Sequence, residues 1–120
     1  MNYDEFNAQW LAAWTAKDAA GVASFYTPAA RYLDAQVPQG LEGKPALRAY
    51  LQELFDNTPP MSYEAEAVWE IDGGFCGRWI CTIDGPDGPS WLRGFDLCLI
   101  EGGKIAHNEV YTHRLEAEPG

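Results

Sequence analysis

The hydrophobic pattern of this chain changes period once, at Thr58-Pro59-Pro60, and that change constrains the fold more than any other feature. Upstream, apolar residues recur every three or four positions; downstream they alternate every two, broken only at glycine-rich turns. Tyr63, Ala65, Ala67, Trp69 and Ile71 alternate with Ser62, Glu64, Glu66, Val68 and Glu70, which predicts a half-exposed strand with its glutamates on a solvated face. Asp72-Gly73-Gly74 signals a hairpin turn. Phe75–Asp84 then reads as a second long strand, Gly85–Pro89 as a loop, Trp91–Glu101 as a third strand, Gly102-Gly103 as a tight turn and Lys104–His113 as a fourth strand.

Residues 2–17 are predicted helical, with Phe6, Trp10, Leu11, Ala13 and Trp14 at helical spacing and Asn2 or Asp4 as cap. Asp18 caps a second short helix, Ala19–Tyr26, which Thr27-Pro28 ends. Ala30–Asp34 alternates as a short strand, and Ala35–Gly43 is a loop. A third helix runs from Lys44 to about Asn57, with Pro45 in its first turn and Leu47, Tyr50, Leu51, Leu54 and Phe55 on its apolar face. Helices followed by an antiparallel meander make an α+β plan, here a single domain over residues 1–120 with a frayed tail from Leu115. The helices can cover one face of the sheet only. Leu92–Ile100 is nevertheless apolar on both, with Phe95, Leu97 and Leu99 on one side and Leu92, Cys98 and Ile100 on the other. The uncovered side therefore expects a second copy of the chain, with Ile80 joining Phe95, Leu97 and Leu99 in an outer row and Trp69 and Trp91 at the contact or rim.

Composition narrows the partners. Eight basic residues against 18 acidic ones leave a net charge of −10, which excludes a basic stripe for nucleic acid. The polar, acidic N-terminus is unlike a secretory signal, and no apolar run approaches the ~20 residues a membrane helix needs. Cys76, Cys81 and Cys98 are odd in number without a CxxC pair, so buried free thiols and a cytoplasmic location are expected. His107, Glu109 and His113 lie along one strand and do not converge on one metal ion. The histidines are expected to be exposed or at an interface. No cofactor is implied.

Trp10-Leu11-Ala12-Ala13-Trp14 with Lys17-Asp18, Phe25-Tyr26, Ala30-Arg31-Tyr32-Leu33-Asp34, Gly43, Leu47-Arg48-Ala49-Tyr50, Gly94-Phe95-Asp96, Gly103-Lys104-Ile105 and Asn108-Glu109-Val110-Tyr111 resemble the nuclear transport factor 2-like superfamily. The resemblance is to its SnoaL-like and ketosteroid isomerase-like branch and covers nearly the whole chain. It implies a cone-shaped, strongly curved, mostly antiparallel sheet capped by three N-terminal helices, the cystatin-like α+β barrel, often dimeric through the outer sheet face. It also implies a cavity lined by Trp10, Trp14, Tyr26, Asp34, Tyr50, Leu51, Trp79, Cys81, Leu92, Asp96, Cys98, Asn108, Val110 and Thr112.

Asp34 and Asp96 are the catalytic candidates. Asp34 matches the general base of ketosteroid isomerase-like relatives; the other reading, for an Asp at a strand end before a loop, is that it satisfies backbone N–H groups. Asp96, inside an apolar strand, is expected to be buried, kept protonated and able to donate to an enolate oxygen, unless Arg93 or Arg78 pairs with it. This division of labour is a known pattern for ketosteroid isomerase. On that scheme Asp34→Asn abolishes turnover, and loss of Asp96 costs less. Trp10 and Leu51 replace two tyrosines of the isomerase, so strict steroid isomerisation is not expected. Gly94 and Val110 stand where limonene epoxide hydrolase has its Arg and an Asp. The ligand class implied is a small apolar carbonyl compound, handled by an isomerase or cyclase using Asp acid–base chemistry. The alternative is a non-catalytic binding or scaffold protein of the same fold.

Overall fold

The computed structural model describes residues 1–120. Helix α1 (Tyr3–Thr15) starts where Asn2 Oδ1 accepts the Glu5 N–H at 3.0 Å, and it buries Asn7, Trp10, Leu11 and Trp14. Lys17 then takes a left-handed backbone, φ 54°, and Asp18 caps α2 (Ala19–Ala23) by accepting the Gly21 N–H at 2.9 Å. The second helix stops earlier than expected. Ile105 donates its N–H to the Phe25 carbonyl at 2.8 Å, and Tyr26 already pairs with Ile105, so β1 (Tyr26–Leu33) begins at the residue predicted to end a helix. The expected loop also contains a short strand, β2 (Leu41–Glu42), paired to Tyr32 and Arg31. Helix α3 (Lys44–Asp56) follows.

Strands β3 (Met61–Ile71), β4 (Gly74–Gly85), β5 (Gly88–Glu101) and β6 (Lys104–Leu115) form the meander, and the expected loop at 85–89 shrinks to Pro86-Asp87 between paired Gly85 and Gly88. The six strands run in the order β2-β1-β6-β5-β4-β3, antiparallel except for β1 against β6. This is the α+β, mostly antiparallel sheet with helices on one side that the sequence predicts. The core between α1, α2, α3 and the inner face is built on Trp10, Val22, Tyr26, Leu47, Leu51, Phe75 and Ile105. No helix is long and apolar enough to cross a membrane.

Two register breaks correct the alternation read from the sequence. Ala65 pairs with Trp79 but Ala67 pairs with Arg78, leaving Glu66 as the extra residue of a bulge. Tyr63 therefore packs against the core from one side of the bulge and Val68 from the other, while Trp69 and Ile71 turn outward and are exposed. A second break, at Ala106, sets Ile105 inward and then Asn108, Val110 and Thr112 on the same face. Phe95 and Leu99 are exposed on the outer face as expected, but Ile80 is only 7% exposed. Its cross-strand neighbours are Glu64 and Arg93, and Arg93 and Arg78 both bind Glu66 across this strip, so long side chains cover it.

Candidate active site

The helices do not fill the concave face. Between α1, α3 and the meander lies a chamber of about 280 Å³, with Ala35 and Gln36 among its lining residues. Its walls hold Trp10 and Trp14 from α1, Tyr32 from β1, Tyr50 from α3, Tyr63 from β3 and Trp79 from β4. Aliphatic surface comes from Leu11, Leu54, Met61, Ile83, Leu92 and Val110. Asp34 and Asp96 are its two acidic residues, and no Lys, Arg or His reaches it.

Of the residues expected to line this chamber, Trp10, Trp14, Asp34, Tyr50, Trp79, Leu92, Asp96, Val110 and Thr112 do so. Tyr26, Leu51, Cys81, Cys98 and Asn108 do not; each is at most 1% exposed and lies in the packing behind the wall. Tyr26 and Asn108 are withdrawn for a polar reason. The Tyr26 hydroxyl donates to Asn108 Oδ1 at 2.8 Å, which turns the amide nitrogen toward Asp96 Oδ1 (3.5 Å) and the Leu97 carbonyl (3.2 Å). They support the site from below. Tyr32, Tyr63 and Leu11 were missed as lining residues. Tyr32 sits two residues before Asp34 on the same side of β1, and Tyr63 alternates with the solvated glutamates of β3, spacings that were available to find both.

Asp96 is 2% exposed in the middle of β5. Trp79 Nε1–H donates to its Oδ2 at 2.7 Å. That bond needs Gly94. Trp79 and Gly94 are cross-strand partners, the indole lies across the glycine, and a Cβ there would overlap the six-membered ring. Neither Arg78 nor Arg93 pairs with Asp96, contrary to the pairing considered from the sequence; both lie on the opposite face of the sheet with Glu66. Burial without a cation pushes the Asp96 carboxyl up to about 7, with the Trp79 and Asn108 hydrogen bonds opposing the rise. It is thus divided between acid and base near neutral pH.

Asp34 has different surroundings. It follows the last residue of β1 and is half-buried at the rim. Its Oδ2 accepts from the Tyr32 hydroxyl at 2.7 Å and the Tyr50 hydroxyl at 2.6 Å. Its Oδ1 accepts the Gln36 N–H at 2.8 Å and the Val37 N–H at 3.2 Å. A carboxylate offers about four lone-pair directions, and these donors occupy them. Burial, then the bond to Asp34, hold the Tyr50 phenol well above its ordinary value. Trp10 Nε1 is buried with no acceptor at hydrogen-bonding geometry.

A profile of the SnoaL-like domain matches residues 8–108. The chain belongs to this family. Solved structures resemble this SnoaL-like domain at identities that speak for the fold alone. A protein of Catenulispora acidiphila with a ketosteroid isomerase-like fold, solved in complex with trimethylamine, is 15% identical over 89% of this chain and 84% of its own, at TM-score 0.79. A protein of Jannaschia sp. CCS1, provisionally named a SnoaL-like polyketide cyclase, is 19% identical over 90% and 83%, at TM-score 0.76. A cystatin-fold protein of Novosphingobium aromaticivorans is 22% identical over 92% and 97%, at TM-score 0.71. No curated protein matches this SnoaL-like domain significantly.

Proposed function

We propose that the chamber binds a small, apolar carbonyl compound and that Asp96 moves a proton next to the carbonyl, without a cofactor. The observation that carries this reading is a carboxyl buried against aromatic walls, unpaired with any cation, and raised to about 7 where it both accepts and returns a proton. As a carboxylate Asp96 takes the proton from the carbon beside the carbonyl, and as the acid it delivers that proton to another carbon. At about 280 Å³ the chamber suits a one- or two-ring compound better than a steroid, since it sits at the low end of ligand cavities.

The sequence reading gave the base to Asp34. With its lone pairs engaged by Tyr32, Tyr50 and two backbone N–H groups, Asp34 is assigned here to anchoring the two tyrosines at the rim. The test is isomerisation of 3-cyclohexen-1-one to the conjugated enone, followed by ultraviolet absorbance. Asp96→Asn is expected to lower the rate about 10²–10⁴-fold, more than Asp34→Asn does. A larger loss for Asp34→Asn would restore the original assignment. Binding of the enone with no turnover in any variant would favour the non-catalytic alternative. The free cysteines support a cytoplasmic setting, and the exposed apolar residues of the outer sheet face support a homodimer through that face.

A further inference from the structure

The chamber has a charge pattern that a purely apolar ligand leaves unused. Six aromatic side chains, Trp10, Trp14, Tyr32, Tyr50, Tyr63 and Trp79, share its wall with Asp34 and Asp96, and no positive side chain balances the two acids. Aromatic faces carry partial negative charge and attract ammonium groups, more strongly where water is excluded. The chain as a whole carries −10, which adds a long-range field of the same sign.

We propose that this chamber takes small organic cations of the alkylammonium class, with methyl or methylene groups against the aromatic wall and the positive charge offset by Asp34 and Asp96. The inference goes beyond the proton-transfer reading and does not depend on it.

A bound cation favours the ionised form of Asp96, so binding near neutral pH releases a proton, and affinity rises as pH is raised through the Asp96 transition. This dependence is placed on Asp96; Asp34 is the other acid of the chamber, and the Asp96→Asn variant below separates the two. The other ionisable groups near Asp96 are Tyr26 from β1, Tyr63 from β3, Cys76 and Cys81 from β4 and Cys98 from β5. Burial raises all of them above their ordinary values, which holds each toward its neutral form. Helices α1 and α3 present Trp10, Leu11, Trp14, Tyr50 and Leu54, none of which carries charge near neutral pH.

The test compares choline with 3,3-dimethylbutan-1-ol, its uncharged carbon isostere, titrated into the full chain by calorimetry and tryptophan fluorescence. Choline is expected to bind about tenfold more tightly at pH 8.5 than at pH 5.5, the fold-change that a one-unit lowering of the Asp96 pKa on binding produces. The isostere should bind more weakly than choline at pH 8.5. Asp96→Asn, checked for folding by circular dichroism, should still bind choline with a flat pH response. Equal or tighter binding of the isostere at pH 8.5 overturns the proposal, and so does a pH dependence that persists in Asp96→Asn. Val110→Phe reduces the chamber from the β6 side; unchanged choline affinity in that folded variant would place the cation elsewhere and also overturn it. These titrations do not measure enone turnover, so the two readings can fail separately.

Discussion

Asp96 occupies a position where the sheet would otherwise hold a hydrocarbon, and one glycine makes its environment possible. The Trp79 indole reaches Oδ2 because Gly94, directly across the strand pair, leaves the space. Gly94→Ala is therefore expected to displace the ring and break the bond, destabilising the chain by about 1–3 kcal/mol, with the Trp79 indole N–H resonance moving in the NMR spectrum. A stable Gly94→Ala protein with that resonance unmoved would refute the account. Asp96 also ties stability to pH. Its carboxyl ionises near 4 when unfolded and near 7 when folded, so between those values the native state holds the extra proton. The burial cost is absent below pH 4, grows as pH rises, and is complete above about 7. Asp96→Asn should be close to wild type in urea unfolding at pH 4, and more stable by on the order of a few kcal/mol at pH 8. A constant difference between the two pH values would contradict the assignment.

The elements were legible in the sequence wherever local pattern decides them, and hidden wherever a distant partner does. The three helices, four long strands and their glycine turns follow from periodicity and capping, and Asp96 stood out as the one acid in an apolar run. The start of β1 at Tyr26 did not follow, because the parallel partner that captures it, Ile105, lies far along the chain. The Glu66 bulge did not follow either, since no glycine marks it, and with it went the outward turn of Trp69 and Ile71. Lys17 is a further case of a distant tie. Its ammonium donates to the Phe55 carbonyl (3.0 Å), the Thr58 carbonyl (2.7 Å) and Thr58 Oγ1 (2.7 Å), closing the negative end of α3. Lys17→Ala should cost about 1–3 kcal/mol in urea unfolding. Lys17→Gly loses the same bonds but relieves the left-handed backbone, so it should be the milder change. The reverse order would mean that the hydrogen bonds are not what Lys17 contributes.

At the scale of the whole molecule the sheet has two apolar faces and helices for only one. The outer face carries Trp69, Ile71, Phe95, Leu99 and Tyr111, each exposed. Trp69 and Phe95 rings sit 6.0 Å apart, with the Arg78 guanidinium 5.6 Å from the Trp69 ring, so the face presents a preformed aromatic patch. These exposed side chains of β3, β5 and β6 are costly to leave in water and support the homodimer proposed above. Light scattering at micromolar concentration should therefore give twice the 13.3 kDa of one chain. Phe95→Glu places a charge at the centre of the patch and should return the mass to 13.3 kDa without loss of folding. The chamber is lined from the other face by residues of a single chain, so the monomeric variant should bind choline as the wild type does. A wild-type monomer would remove the dimer, and a Phe95→Glu monomer that binds choline poorly would show that pairing shapes the chamber through the sheet.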